Sequence, residues 1–144
     1  CKDVKIGGEV PQGSVLGPTL WNILHDDVME IRPREGLELI CYADDLAVII
    51  TADSLEDLKT KGDWSLFMIN TWMHLNRLRL APHKTKAMVF GMSEKAAEIK
   101  FRLGKHEISP DREVDYLGMT LHRMMRFTAH IKKYVRKQTE QRKL

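Results

Sequence analysis

The 144-residue sequence predicts an α+β fold, and three observations carry that reading. Helical spacing of apolar residues appears twice, after Pro18 and after Ser54. Two short aliphatic and β-branched runs flank the tetrapeptide Tyr42-Ala43-Asp44-Asp45, the pattern of two buried strands joined by a tight turn. A series of short strand-like segments then follows the second helix and ends in a basic stretch. With 43% hydrophobic and 30% charged residues, the chain has the material for a packed core and lacks the composition of a disordered one.

The elements follow in order. Residues 7–18 are rich in turn formers, with Gly7, Gly8, Pro11, Gly13, Gly17 and Pro18. The first helix runs from Thr19 to Met29, with Leu20, Ile23, Leu24, Asp27 and Val28 on one side, and Arg32-Pro33-Arg34-Glu35-Gly36 ends it. Leu37–Cys41 and Leu46–Thr51 form the hairpin strands. Ser54 opens the second helix as an N-cap with Asp57 three residues on. Leu55, Leu58, Leu66, Ile69, Met73 and Leu78 make its apolar stripe, widened by Trp64, Phe67 and Trp72; Gly62 interrupts the stripe and marks a kink or a short first helix. Ala81-Pro82-His83 breaks the helix. Lys86–Gly91 reads as a short strand, and Ile99–Leu103 as another that turns at Gly104-Lys105 into His106-Glu107-Ile108. Val114–Leu121 reads as the last strand, and Thr128–Lys143 as a basic helix with a weak apolar face of Ile131, Tyr134 and Val135. The two long helices are expected to cover one face of a single sheet.

Asp44 and Asp45 concentrate negative charge at the tip of the hairpin. Adjacent carboxylates repel unless a cation or a proton relieves them. Hard oxygen ligands in such a place suit Mg²⁺, which binds through one or two carboxylates plus substrate phosphates. The pair therefore points to metal-assisted phosphoryl or nucleotidyl transfer, set against the simpler reading of a solvated acidic turn. Asp26-Asp27 is a second acid pair, but it falls on a helix, where neighbouring side chains diverge. The six histidines show no ligand spacing, and Cys1 and Cys41 suggest neither a disulfide framework nor a zinc site.

The net charge of +3 hides an asymmetry: residues 123–144 hold eight basic residues and one acid, a charge of +7, and the other 122 residues hold 15 basic and 19 acidic, a charge of −4. A basic tail on an acidic body suits a polyanion partner, although a solvated helix face accounts for the same charges. No apolar run approaches the ~18 residues of a membrane span, so no membrane partner is expected. The first residue is Cys1 and not Met, which reads as part of a longer chain.

Four blocks in this order resemble the reverse transcriptases of non-LTR (LINE-type) retrotransposons, of the arthropod jockey-like kind. They are Val10-Pro11-Gln12-Gly13-Ser14-Val15-Leu16-Gly17-Pro18, Tyr42-Ala43-Asp44-Asp45, Leu80-Ala81-Pro82-His83-Lys84-Thr85-Lys86 and Tyr116-Leu117-Gly118. The phrase Leu20-Trp21-Asn22-Ile23-Leu24 adds to the match. The resemblance implies a partial polymerase palm over residues 1–122 and the start of a helical thumb over residues 123–144. It implies that Asp44 and Asp45 bind Mg²⁺ or Mn²⁺, with Asp45 less directly engaged. Tyr42 and Ala43 would lie under the primer end and the incoming nucleotide, and Gln12 and Gly13 beside the template base. Lys84 would stand near the triphosphate, or be an ordinary surface lysine. Tyr116, Leu117 and Gly118 would form the primer grip. The implied partners are an RNA template, a DNA primer and a dNTP, and the full-length element protein would act in the nucleus. The family completes its metal site with an aspartate upstream of the first block, outside this sequence, so the 144 residues are expected to be inactive alone. Glu9 stands where the family has glycine, and a non-catalytic nucleic-acid-binding relic is the alternative reading.

Overall fold

Helix α1 (Gly17–Met29) starts at Leu16 without a side-chain cap, and Pro18 within its first turn supplies a preset φ in its place. The computed structural model describes residues 15–31, 35–43, 45–91, 94–128 and 130–134. The chain divides into two compact units, Cys1–Thr51 and Ala52–Leu144.

In the first unit, β1 (Leu37–Tyr42) and β2 (Asp45–Ile50) pair antiparallel, with Leu37 opposite Ile50 at the open end and Tyr42 opposite Asp45 at the turn. The Thr51 N–H donates to the Gly36 carbonyl, which closes the base of the hairpin at 2.7 Å. Val28 and Leu37 are buried, and the Cys41 thiol donates to Met29 Sδ at 3.5 Å, linking β1 to the end of α1. The expectation of two buried strands is corrected: Ile40 and Ile49 are 42% and 46% exposed, and Leu37 alone among the residues of β1 and β2 is buried. Near-continuous apolar runs suit strands covered on both faces. Among the described residues these two strands pair only with each other, and that cover is incomplete.

In the second unit, α2 (Leu55–Leu75) begins where the Asp57 N–H donates to Ser54 Oγ at 3.1 Å. Asp57–Lys61 and Lys59–Asp63 ion pairs brace its first turns at i,i+4 spacing. It ends three residues before Leu78, in a Schellman arrangement: the Arg77 N–H donates to the His74 carbonyl and the Leu78 N–H to the Met73 carbonyl, with Arg77 at φ 58. The kink expected at Gly62 does not occur, and the helix runs through it. A Cβ at Gly62 would sit 2.4 Å from Cδ1 of the buried Phe101 ring, so the missing side chain is the seat for that ring. The buried face is Gly62, Ser65, Ile69 and Trp72, and Phe67 lies on the exposed side.

In place of the single sheet expected from the sequence, the described residues form three separate two-stranded ladders: β1–β2, β3 (Phe101–Leu103) with β4 (His106–Ile108), and β5 (Glu113–Tyr116) with β6 (Met119–His122). Helix α2 packs on β3. It also occupies polar groups beside that strand: the Lys59 ammonium donates to the Lys100 carbonyl at 2.7 Å, and the Arg102 N–H donates to Asp63 Oδ1 at 2.6 Å. Side chains thus take the place of a neighbouring strand, which protects a lone ladder from further pairing. The expected strand Lys86–Gly91 is a single parallel bridge between Ala87 and Pro110. The expected last strand Val114–Leu121 is a hairpin, because Leu117 and Gly118 both adopt positive φ (47 and 81) and reverse the chain. The basic helix is described only over Thr128 and His130–Tyr134; the remainder of its expected span lies outside the described residues.

Candidate functional site

The first unit carries the hairpin tip, with Tyr42, Ala43 and Asp45 among the expected site residues. Tyr42 is 63% exposed and Asp45 is exposed, so the last pair of the ladder presents a phenol and a carboxylate to solvent. Ala43 turns the chain at φ 52, a left-handed conformation that L residues other than glycine adopt at a cost of about 1–2 kcal/mol. Asp44, Gln12 and Gly13, three of the expected site residues, lie outside the described residues. Asp45 offers hard oxygens that suit Mg²⁺ or Mn²⁺. Among the described residues, no three His, Cys, Asp or Glu side chains converge to hold an ion.

Cys41, the last strand residue before Tyr42, has its thiol pushed above the ordinary range by burial. A protonated thiol that donates to a thioether fills space and is a poor nucleophile.

The second unit holds the other expected residues. Lys84 lies in a tight turn built on one acceptor: the Ala81 carbonyl takes hydrogen bonds from the Lys84 N–H, the Thr85 N–H and Thr85 Oγ1, each at 3.0 Å. The Leu80–Lys86 block thus folds as a turn with the Lys84 side chain exposed. Tyr116 and Met119 close the β5–β6 hairpin, with Leu117 and Gly118 as its two turn residues. No neighbouring atom lies within 4 Å of where a Gly118 Cβ would stand, so its φ of 81, and not close packing, is what calls for glycine. The Tyr116 hydroxyl is enclosed and makes no hydrogen bond to the protein among the described residues.

Sequence reading singled out Lys84 and passed over Lys86. Lys86 lines a cleft of about 340 Å³ together with Glu113, Asp115, Thr120 and Lys133. This cleft brings the third block, the residue preceding the fourth block and the basic segment together. Asp115 Oδ1 accepts from Thr120 Oγ1 at 2.6 Å and Asp115 Oδ2 from the Lys133 ammonium at 2.5 Å. The Lys133 hydrogen bond, followed by that from Thr120, holds the Asp115 carboxyl below the usual carboxylate range. The alternating pattern Val114-Asp115-Tyr116 was the available signal, since it places Asp115 on the polar face of a strand.

The comparisons with known proteins agree in direction. A family model described as reverse transcriptase (RNA-dependent DNA polymerase) matches residues 4–121. The chain is similar to the putative 115 kDa protein in type-1 retrotransposable element R1DM of Drosophila melanogaster, at 31% identity over 130 residues, which is 90% of this chain and 12% of the relative. It is similar to the RNA-directed DNA polymerase from mobile element jockey of Drosophila melanogaster, at 30% identity over 134 residues, 88% of this chain and 14% of the relative. The Pol polyprotein from type-1 retrotransposable element R1 of Bradysia coprophila is 28% identical over 130 residues, 90% of this chain and 13% of the relative. The chain thus spans between 12% and 14% of the length of these relatives. No solved structure matches.

Proposed function

The chain belongs to the reverse transcriptase family, and from that premise we propose that it is the palm and thumb-start portion of a non-LTR retrotransposon's RNA-directed DNA polymerase. The observation that carries this reading is the single family match over residues 4–121, which contains all four sequence blocks in order. In the proposed reaction, a primer 3′ hydroxyl attacks the α-phosphate of a dNTP opposite an RNA template, and pyrophosphate leaves.

Asp44 and Asp45 are proposed as carboxylates that hold Mg²⁺ or Mn²⁺ together with a further carboxylate outside this sequence. Such an ion, when bound, stabilises charge on phosphoryl oxygens. Tyr42 and Ala43 would support the primer end and the nucleotide, which suits their exposure at the hairpin tip. Gln12 and Gly13 would lie beside the template base. Lys84, exposed on its turn, would meet the triphosphate, where an ammonium stabilises developing charge or gives a proton to the leaving group. Tyr116, Leu117 and Gly118 would hold the primer 3′ end. The division into a palm portion at 1–122 and a thumb start at 123–144, and a nuclear location for the full-length protein, belong to the same proposal. A longer polypeptide carrying this segment should extend a primer on an RNA template, and Asp44→Ala should abolish the extension. Extension that survives Asp44→Ala would remove the assignment.

A second reading, a binding module without catalysis, is favoured by one observation: residues 123–144 carry +7. On this reading the 144 residues bind nucleic acid and do not polymerise. Both readings require salt-dependent binding. They part on whether a longer polypeptide incorporates nucleotides.

A further inference from the structure

The basic segment is not held uniformly. Asp115 and Thr120 face each other across the β5–β6 ladder. Thr120 is 7% exposed, and its hydroxyl fixes Asp115 Oδ1, so Oδ2 is presented outward in a set position. Lys133 reaches back from the helical segment and donates to that oxygen. One turn earlier, His130 Nδ1 accepts from the Thr120 backbone N–H at 3.3 Å, which places any proton of the neutral imidazole on Nε2. Two side chains of the segment, three positions apart and hence on one helix face, are therefore turned toward the hairpin that carries Leu117 and Gly118. Lys132, the neighbouring residue, points about 100° away around the helix and is exposed, and no ion pair joins it to a described residue.

We infer that Asp115 divides the labour of the basic segment: it withdraws Lys133 from phosphate binding and makes it a positioning residue that holds the Tyr116–Met119 turn to the start of the helix, which leaves Lys132 to contact phosphate. The inference rests on the reading of residues 123–144 as a nucleic-acid-binding segment. Charge alone treats Lys132 and Lys133 as equivalent. Geometry separates them, because the Asp115 carboxylate offsets the Lys133 charge and sets a like charge against any phosphate that approaches that ammonium. Lys132 carries no such neighbouring carboxylate among the described ion pairs.

The test is the salt dependence of RNA–DNA duplex binding by the full 144-residue chain. Each lysine that neutralises a phosphate contributes close to one unit to the slope of log K against log salt. Lys132→Ala is expected to lower the slope by about one unit. Lys133→Ala is expected to leave the slope unchanged. Asp115→Asn, which keeps an oxygen for Thr120 but releases Lys133, is expected to raise it by about one unit, a gain that damage to the fold does not produce. Lys133→Arg, which can hold the same carboxylate, should match the unaltered chain. A fall in slope for Lys133→Ala equal to that for Lys132→Ala would overturn the inference, as would an unchanged slope for Asp115→Asn. Absence of salt-dependent binding by the unaltered chain would remove the nucleic-acid reading itself, an outcome visible before any variant is compared.

Discussion

Ala43 and Asp115 show how much rests on single residues. Ala43 holds φ 52 at the hairpin turn, where glycine is free of the steric penalty that alanine bears. Glycine also widens the unfolded ensemble, which offsets part of the gain. The expected net effect of Ala43→Gly is a stabilisation of up to about 1 kcal/mol, and a β-branched Ala43→Val should destabilise. Urea unfolding of the three proteins checks this order. For Asp115, the sign follows from its lowered pKa, caused first by Lys133 and then by Thr120. Its contribution is fully present above the ordinary aspartate pKa of about 3.9 and is lost as pH falls through the lowered value. The gap in unfolding midpoint between the unaltered chain and Asp115→Asn should therefore narrow between neutral pH and about pH 3. A gap that widens in acid would contradict the Lys133 pairing. Neither the positive φ at Ala43 nor the partner of Asp115 could be read from the sequence, since one is a backbone angle imposed by register and the other joins residues 18 apart.

At the scale of elements, α2 and the ladder beneath it carry the clearest lesson. Gly62 interrupts an apolar stripe, and helix propensity alone argues for alanine there by about 1 kcal/mol. Packing opposes it, because the Phe101 ring occupies the space of the absent Cβ and overfilling a packed site costs about 1–3 kcal/mol. The packing cost is the larger, so Gly62→Ala should destabilise by about 1 kcal/mol. In a Phe101→Leu background the same substitution should become neutral or stabilising, and a double-mutant cycle measures the difference. The Ser54 cap and the Gly104-Lys105 turn were legible because each depends on residues within a few positions. Gly62 was not, because its reason lies 39 residues away at Phe101. The β5–β6 hairpin was missed for a related reason: Leu117 gives no turn signal, and Gly118 by itself reads as well as a bulge.

For the whole chain, the distribution of charge sets the expected behaviour. A tail of +7 beside a body of −4 should bind a polyanion through the tail and repel it elsewhere. Removal of residues 123–144 should weaken duplex binding by at least tenfold and flatten its salt dependence without a change in sequence preference, as read by titration at several salt concentrations. The hairpin with exposed Ile40 and Ile49 belongs to the same scale, since it has the composition of a strand pair meant for cover on both faces. In the four-block order the family was legible without coordinates; the separation into three ladders was not, because strand pairing depends on partners distant in sequence. The most direct test of the polymerase assignment is single-nucleotide incorporation on an RNA template by a longer polypeptide containing this segment, comparing Asp44→Asn with Asp45→Asn. Loss of a metal-holding carboxylate removes several kcal/mol of transition-state stabilisation, so Asp44→Asn should lower kcat/KM by about 10³-fold or more and Asp45→Asn by less. Incorporation unchanged by Asp44→Asn would contradict the account.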